Sequence, residues 1–422
     1  MNHDAGSHAP VHQVQDLQKV LEISRAMVAT EDLDGLLSLI VQRSMELLDA
    51  ERATVFLYEA EEDELVSCVA AGAEEIRTPA SAGIAGAAAR SGQVINVPDA
   101  YADSRFNRAV DRQTGFRTRN LLAIPLRGYA GELVGVLQVL NKRRDAFDLY
   151  DISLAETLAA QAGVALQRAR LIGHYLRKQE MERAMRIAER IQRGLLPKGP
   201  PQIPGFEVAG FSQPADETGG DTYDFMPLGG GSWMFVVADA TGHGIGPALV
   251  IAETRAMLRA ICLQGADATA VLETANNLLC QDLDDGRFVT CFLGVLNPAA
   301  AELRYASAGH GPMLFYHRAE DRFEIVAAGA LPLGVLPDTP GPATVTHALV
   351  PGDFVVIVTD GFLEATNRKE EEFGVERALD LLRIGRDTPP EVMIEMLYAA
   401  VCDFAAGRSQ ADDLTAIVIR RL

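Results

Sequence analysis

Four well-separated segments of the sequence each set an aspartate at the end of an apolar run or beside glycine. They are Asp221 in TGGDTYDF, Asp239 in VVADATGHG, Asp360 in FVVIVTDGFLEA, and the pair Asp412 and Asp413 in SQADDLTAIVIRR. Three of the segments adjoin runs apolar enough to form buried strands. Carboxylates gathered there repel one another, and burial disfavours their charged form. No lysine or arginine adjoins any of the four in sequence. Hard divalent cations, which prefer oxygen ligands, supply the missing positive charge most simply. Taken singly, each acid has an ordinary explanation as a helix cap or turn residue; Asp224 and the Asp360–Gly361 dipeptide read that way. The combination points instead to a divalent-metal site.

The totals limit what such a site serves. A chain of 422 residues with 48% hydrophobic residues predicts two or three domains. The formal net charge of −20 argues against a nucleic-acid partner, because phosphate backbones require a basic face. Five cysteines without a paired motif argue against a disulfide framework or a thiolate zinc site. No apolar run is long enough to span a bilayer, and MNHDAGSHAP lacks a signal peptide's apolar segment. The expectation is a cytoplasmic chain without a membrane partner.

The elements that position the acids read in three parts. Residues 1–13 are polar and read as a flexible terminus. Helical periodicity follows from Val14, and Asp32 caps a second amphipathic helix. Strands are expected at ATVFLYEA, ELVSCVAAG and NLLAIPLRGYAGELVGVLQVLNK, with helix at AGIAGAAARSGQ and from Asp148 onward. This α+β span, 14–170, resembles a GAF sensor domain through GIAGAAARSGQVINVPDAYADSRFN, LLAIPLRG and GVLQVLNK. Cyclic-nucleotide-binding GAF domains carry a signature to which Asn141, Lys142, Phe147 and Asp151 correspond, but Ile152 stands where its final acid belongs. These residues are candidate ligand contacts. Their other role is to stitch the last strand to the last helix, and that role is favoured. The ligand is left unidentified.

From about Leu154 to Leu196 the chain reads as nearly continuous helix. Leu158, Ala162, Ala165, Ala169, Ile172 and Leu176, then Ala184, Ile187, Ile191 and Leu195, form a stripe at coiled-coil spacing. Residues 171–197 are therefore expected to be a helical linker that joins two copies as a homodimer. The prolines of LLPKGPPQIPG end it.

Residues 198–422 alternate strands and helices in a pattern predicting two sheets between helical layers. With LLP, GGDTYDF, VVADATGHGIGPAL, YASAGHGPMLFY, LPLG, VTDGFLEA and ADDLTAIVI, this region resembles the metal-dependent type 2C (PPM) protein phosphatases, in their SpoIIE/RsbU-like branch. The resemblance implies an α/β/β/α sandwich and two or more Mn²⁺ or Mg²⁺ ions. It makes Asp239 the bridging ligand, with the Ala240 carbonyl beside it. It also implies that Asp221 holds water at the metals, that Asp360 and Asp412 bind the second ion, and that Asp413 is an alternative to Asp412. His243 is a candidate general acid, though it does not align with the histidine of eukaryotic relatives; His310 reads as a structural loop residue. No basic residue between Phe206 and Asp221 matches the phosphate-binding arginine of eukaryotic members.

The implied function is a GAF-regulated protein serine/threonine phosphatase. Its implied substrate is a phosphorylated STAS-domain anti-sigma factor antagonist in a bacterial stress or developmental pathway. Two alternatives belong to other classes. One is a catalytically silent binding module; the other is a cyclic-nucleotide receptor whose output is protein binding.

Overall fold

Residues 9–68, 76–265, 267–284 and 286–422 are described by a computed structural model. The expected terminus lies partly outside them, since residues 1–8 are not described and α1 (Ala9–Ala29) begins at once. The last residues of the expected ELVSCVAAG strand also lie outside. The chain divides into an N-terminal unit, Met1–Glu180, and a C-terminal unit, Met181–Leu422.

In the N-terminal unit α1 is followed by α2 (Leu33–Leu47), β1 (Ala50–Glu59), β2 (Glu64–Cys68) and β3 (Arg77–Pro79). Then come α3 (Gly83–Ser91), β4 (Ile95–Val97), α4 (Arg108–Thr114), β5 (Leu121–Arg127), β6 (Leu133–Lys142) and α5 (Leu149–Leu195). Asp32 caps α2 as expected, its carboxylate accepting from the Gly35 N–H at 2.6 Å. The strands form one antiparallel sheet in the order β3-β2-β1-β6-β5-β4. One face packs against α1, α2 and the first half of α5 through Met27, Leu36, Ile40 and Leu158. The other is covered by α3 through Ile84, Ala85 and Ala88.

Helix α5 is one unbroken 47-residue element. The stripe read from its sequence divides in two. Leu158, Ala162, Ala165 and Ala169 are buried in the core of the N-terminal unit, so they are not a seam between copies. Along that stripe the exposed apolar side chains come further on, at Ile172, Leu176, Ile187 and Ile191.

The C-terminal unit continues with β7 (Phe206–Gln213), β8 (Asp221–Pro227), β9 (Trp233–Ala240), α6 (Ile245–Cys262), α7 (Ala268–Asp282), β10 (Val289–Asn297) and β11 (Glu302–Ala308). It ends with β12 (Met313–His317), β13 (Arg322–Val326), β14 (Val345–Ala348), β15 (Phe354–Val358), α8 (Gly361–Glu364), α9 (Gly374–Ile384), α10 (Pro390–Ala405) and β16 (Leu414–Arg421). Two five-stranded antiparallel sheets form, β14-β11-β10-β9-β8 and β13-β12-β15-β16-β7. Helices α6 and α7 cover the first, and α9 and α10 cover the second. This is the expected α/β/β/α sandwich.

The two-residue period of each strand decides what meets between the sheets. In β9, Met234, Val236 and Ala238 face the helices, while Phe235 and Val237 enter the inter-sheet core. In β16, Ala416 and Val418 face α10, while Ile417 and Ile419 enter the same core. Tyr223 and Phe225 of β8, Phe292 of β10, and Val355 and Ile357 of β15 join them. Continued to one end of the strands, the same series reaches Asp221, Asp239, Thr290, Thr359, Thr415 and Asp413. The polar cluster is thus the end of the apolar core.

Candidate active site

Asp221 and Asp239 are directly opposed residues of β8 and β9. Asp221 is 6% exposed, and one carboxylate oxygen accepts from the Thr359 hydroxyl at 2.7 Å. Burial pushes its pKa well above the usual carboxylate range, and the charges of Asp239 and Asp413 add to this. Asp239 is raised to about 7, by burial first and then by Asp360, Asp412 and Asp413. Its strongest charged neighbours are all carboxylates, so the four segments do converge on one space.

Asp360 stands at the N-cap of α8, yet its side chain does not cap the helix. Its backbone carbonyl does that work, accepting from Leu363 and Glu364 at 2.8 Å each, while the carboxylate accepts from the backbone N–H groups of Gly361 and of Asp360 itself. Burial and Asp412 raise its pKa. The adjacent acids Asp412 and Asp413 differ sharply. Asp413 is 3% exposed and binds the loop before β8, accepting from Ala215 N–H at 2.7 Å and Asp221 N–H at 3.2 Å. Asp412 is exposed and accepts only from the Asp413 N–H, at 2.8 Å.

Close backbone approach makes two glycines necessary. A Cβ on Gly219 would come within 2.1 Å of the Asp413 carboxylate, and one on Gly220 within 2.4 Å of the Ala240 carbonyl oxygen. The Gly219 backbone is also gripped from α5: Gln192 accepts its N–H at 3.1 Å and donates to its carbonyl at 2.5 Å. A cavity of about 340 Å³ beside this contact is lined by Gln192, Arg193, Glu217, Asp221 and Asp413.

The donor set fits divalent cations: carboxylates with raised pKa values, a backbone carbonyl kept open by glycine, and, among the described residues, no lysine or arginine that offsets the charge of the acids. Among the described residues no three His, Cys, Asp or Glu side chains close on one point. The acids therefore face one space without enclosing it, and backbone oxygen and water would have to complete any coordination.

His243 lies exposed in the turn between β9 and α6, with Nδ1 2.8 Å from a carboxylate oxygen of Asp216. That pairing leaves Nε2 free. Asp216, Gln192, Thr359 and Thr415 had no individual signal in the sequence, because each acts through contacts made across the fold. His310 is buried, as a structural residue should be. Its Nδ1 is 3.1 Å from the Thr290 hydroxyl, and Thr290 is the strand partner of Asp239. Asp224 is neither cap nor turn. Fully buried, it receives Arg259 at 2.5 and 2.8 Å and Arg255 at 3.0 Å, fastening α6 to β8.

In the N-terminal unit the four candidate ligand residues are occupied internally. Asn141, at φ 57°, accepts from Arg119 N–H at 2.6 Å and donates to Glu51 and the Arg117 carbonyl, each at 2.9 Å. Lys142 is ion-paired with Asp151, and Asp151 accepts from Asp148 N–H at 2.9 Å. Phe147 is buried, and its carbonyl accepts from Asn96 at 2.8 Å. Of these contacts the Lys142–Asp151 pair joins β6 to α5, whereas Asn141 ties β6 to β1 and to the segment before β5, and Phe147 is tied to β4.

A family model described as stage II sporulation protein E (SpoIIE) matches residues 229–422, and a GAF domain model matches residues 32–166. The chain joins a GAF domain to a SpoIIE-type PP2C phosphatase domain. The phosphoserine phosphatase RsbU of Bacillus subtilis is 29% identical over 247 residues, which are 58% of this chain and 72% of RsbU. The SiaA-PP2C domain of Pseudomonas aeruginosa shares the phosphatase fold at TM-score 0.51 and 20% identity, over 58% of this chain and 98% of that one. The cGMP-specific 3',5'-cyclic phosphodiesterase of Drosophila melanogaster is 39% identical over 103 residues, 24% of this chain. The chain spans only 9% of that protein's length. Asp221 lies ahead of the span matched by the SpoIIE model, so its place in the phosphatase site rests on geometry. Among the described residues no helix is long and apolar enough to cross a membrane.

Proposed function

We propose that the chain is a Mn²⁺- or Mg²⁺-dependent protein phosphatase that hydrolyses phosphoserine or phosphothreonine on a partner protein under control of its GAF domain. One observation carries this reading: Asp239 has only carboxylates as its strongest charged neighbours, at the end of an otherwise apolar core. An uncompensated cluster of this kind is costly unless cations bind it. Asp239, Asp360, Asp412 and the Ala240 carbonyl would hold the ions. Bound divalent cations supply an ionised water and neutralise charge on the phosphoryl oxygens.

The chain's own groups do the rest. Thr359 fixes one oxygen of Asp221 and leaves the other to orient water opposite Asp239. Asp413 takes no part in coordination; it holds Ala215 and Asp221 in place through their N–H groups. Asp216 orients the His243 ring, and the free Nε2 is available to protonate the leaving serine or threonine oxygen. The similarity to RsbU favours a phosphorylated STAS-domain anti-sigma factor antagonist as substrate. The exposed apolar positions from Ile172 to Ile191 favour a homodimer joined along the linker, through which a GAF signal reaches the site. The GAF domain's effector is a small molecule that does not use the Asn141–Asp151 signature.

Hydrolysis of p-nitrophenyl phosphate with Mn²⁺ tests the enzymatic reading, with Asp239→Ala as control. A loss of at least about 100-fold in kcat/KM is expected. Equal rates for both proteins would leave a silent binding module.

A further inference from the structure

The rim of the phosphatase site carries an arginine that the catalytic reading leaves unused. Arg287 lies just before β10, where the chain is fastened to the turn after Asp239. The Thr241 N–H donates to the Phe288 carbonyl at 3.1 Å, and the Phe288 N–H donates to the Thr241 hydroxyl at 3.1 Å. The guanidinium rests over the bare first turn of α6, since a Cβ built on Gly246 would be 3.6 Å from one terminal nitrogen and 3.8 Å from the other. Its side chain is exposed and makes no hydrogen bond or ion pair among the described residues, in a chain with 58 acids against 38 lysines and arginines. Resting against the positive end of a helix, the guanidinium gains nothing from the dipole.

The same turn of α6 exposes two large apolar side chains four residues apart, Ile245 at 45% and Leu249 at 66%. It is also fixed to the catalytic floor, because the Gly242 carbonyl and Pro247 would lie 3.0 and 3.3 Å from a Cβ on Gly220. Cation and apolar pair therefore flank the acids at a set position. Thr290 is the residue opposite Asp239, and Arg287 precedes it by three positions, about 10 Å of extended chain. A polypeptide bound at the acids spans that length within about three residues.

We propose that Arg287, Ile245 and Leu249 form the docking rim for the phosphoprotein substrate, with Arg287 taking a carboxylate within about three residues of the phosphoserine and the apolar pair taking a neighbouring aliphatic side chain. This deepens the proposed phosphatase reading and rests on it. The rim selects by electrostatic complementarity and desolvated apolar contact, the usual means of distinguishing partners of like chemistry.

The test compares ratios, so that any general loss of activity cancels. Phosphoserine decapeptides are made with Glu or with Lys at the second and third positions on either side, and with Leu or Ser adjacent to the phosphoserine. Phosphate release gives kcat/KM for each with the full-length protein and Mn²⁺. Arg287→Glu should lower the Glu-to-Lys ratio by about 10-fold or more relative to wild type, the effect of reversing one exposed ion pair at both ends. Leu249→Ser should lower the Leu-to-Ser ratio by about threefold. Unchanged ratios in both variants, with all peptides hydrolysed, would overturn the docking rim alone. Failure of the wild type to release phosphate from any peptide or from p-nitrophenyl phosphate would overturn the phosphatase reading itself.

Discussion

Asp239→Asn should stabilise the metal-free protein while abolishing its response to metal. Burial and three neighbouring carboxylates raise the Asp239 pKa from 3.8 to about 7. Its folded state therefore binds the proton more tightly than the unfolded chain. Stability is lost as pH rises from about 4 to about 7 and stays constant above that. At about 1.4 kcal/mol per pKa unit, the full cost above pH 7 is about 4 kcal/mol. Asp221 shares the repulsion, so the relief from removing one charge is about 2–4 kcal/mol. Asparagine keeps the shape and cannot ionise. For a domain of this size the melting temperature should rise by about 5–12 °C. Trp233, the only tryptophan of the chain, sits at the start of β9 and reports on the phosphatase domain alone. Its fluorescence during thermal melts in EDTA at pH 8 measures the shift. The gap between the two proteins should narrow to less than half at pH 5. Adding Mn²⁺ at about 100 times its Kd should then stabilise the wild type by about 2.7 kcal/mol and leave the variant unmoved. A variant equally or less stable than wild type in EDTA at pH 8 would refute the claim that the acids repel one another in the fold.

Two further outcomes follow from single contacts. His310 is held near pKa 4 by burial, so the unfolded chain takes up its proton first, and stability falls as pH drops from about 6.5 to 4. His310→Gln should lose about 1 kcal/mol less than wild type between pH 7.5 and 5.5 in urea melts followed by Trp233 fluorescence; parallel losses would mean the ring is not buried neutral. Gln192→Ala leaves both backbone groups of buried Gly219 without their partner beside Asp221. The Mn²⁺ concentration for half-maximal p-nitrophenyl phosphate hydrolysis should rise about 5- to 10-fold with saturating kcat within about twofold, and an unchanged metal requirement would show that α5 does not steady the site.

The strands that carry the acids were legible because each is a dense apolar run ended by a carboxylate, and burial between two sheets demands that pattern. Strands β13 and β14 carry little signal in the sequence, because Arg322–Val326 and Val345–Ala348 are exposed edges with little periodicity. Helix α9 has regular apolar positions, but its eleven residues fall in a charged stretch that masks the pattern. The stripe of α5 was read as one seam because coiled-coil spacing and core-facing spacing are the same pattern. Only the presence of the sheet against Leu158–Ala169 distinguishes them. Within the site, the aspartates were visible as residue types, but their supports were not. Thr359, Gln192 and Asp216 become meaningful only when a strand residue 138 positions away, or a loop or turn residue 27 positions away, is brought beside them.

Asp412 and Asp413 show what the fold adds to a motif. The two side chains have the same chemistry and adjacent positions, so no argument from residue type separates them. Strand periodicity does. Asp413 falls in register with Thr415, Ile417 and Ile419 on the inner face of β16, and is drawn into the protein to hold two backbone N–H groups. Asp412 lies one residue earlier, off that face, with a carboxylate that supports nothing but its own neighbour's N–H. A shift of one residue in the pairing of β16 with β7 would exchange the two roles and also turn Ile417 and Ile419 away from the inter-sheet core. The apolar half of the strand therefore fixes which of the two acids is left free for a cation, and the packing energy of the core sets the chemistry at its edge.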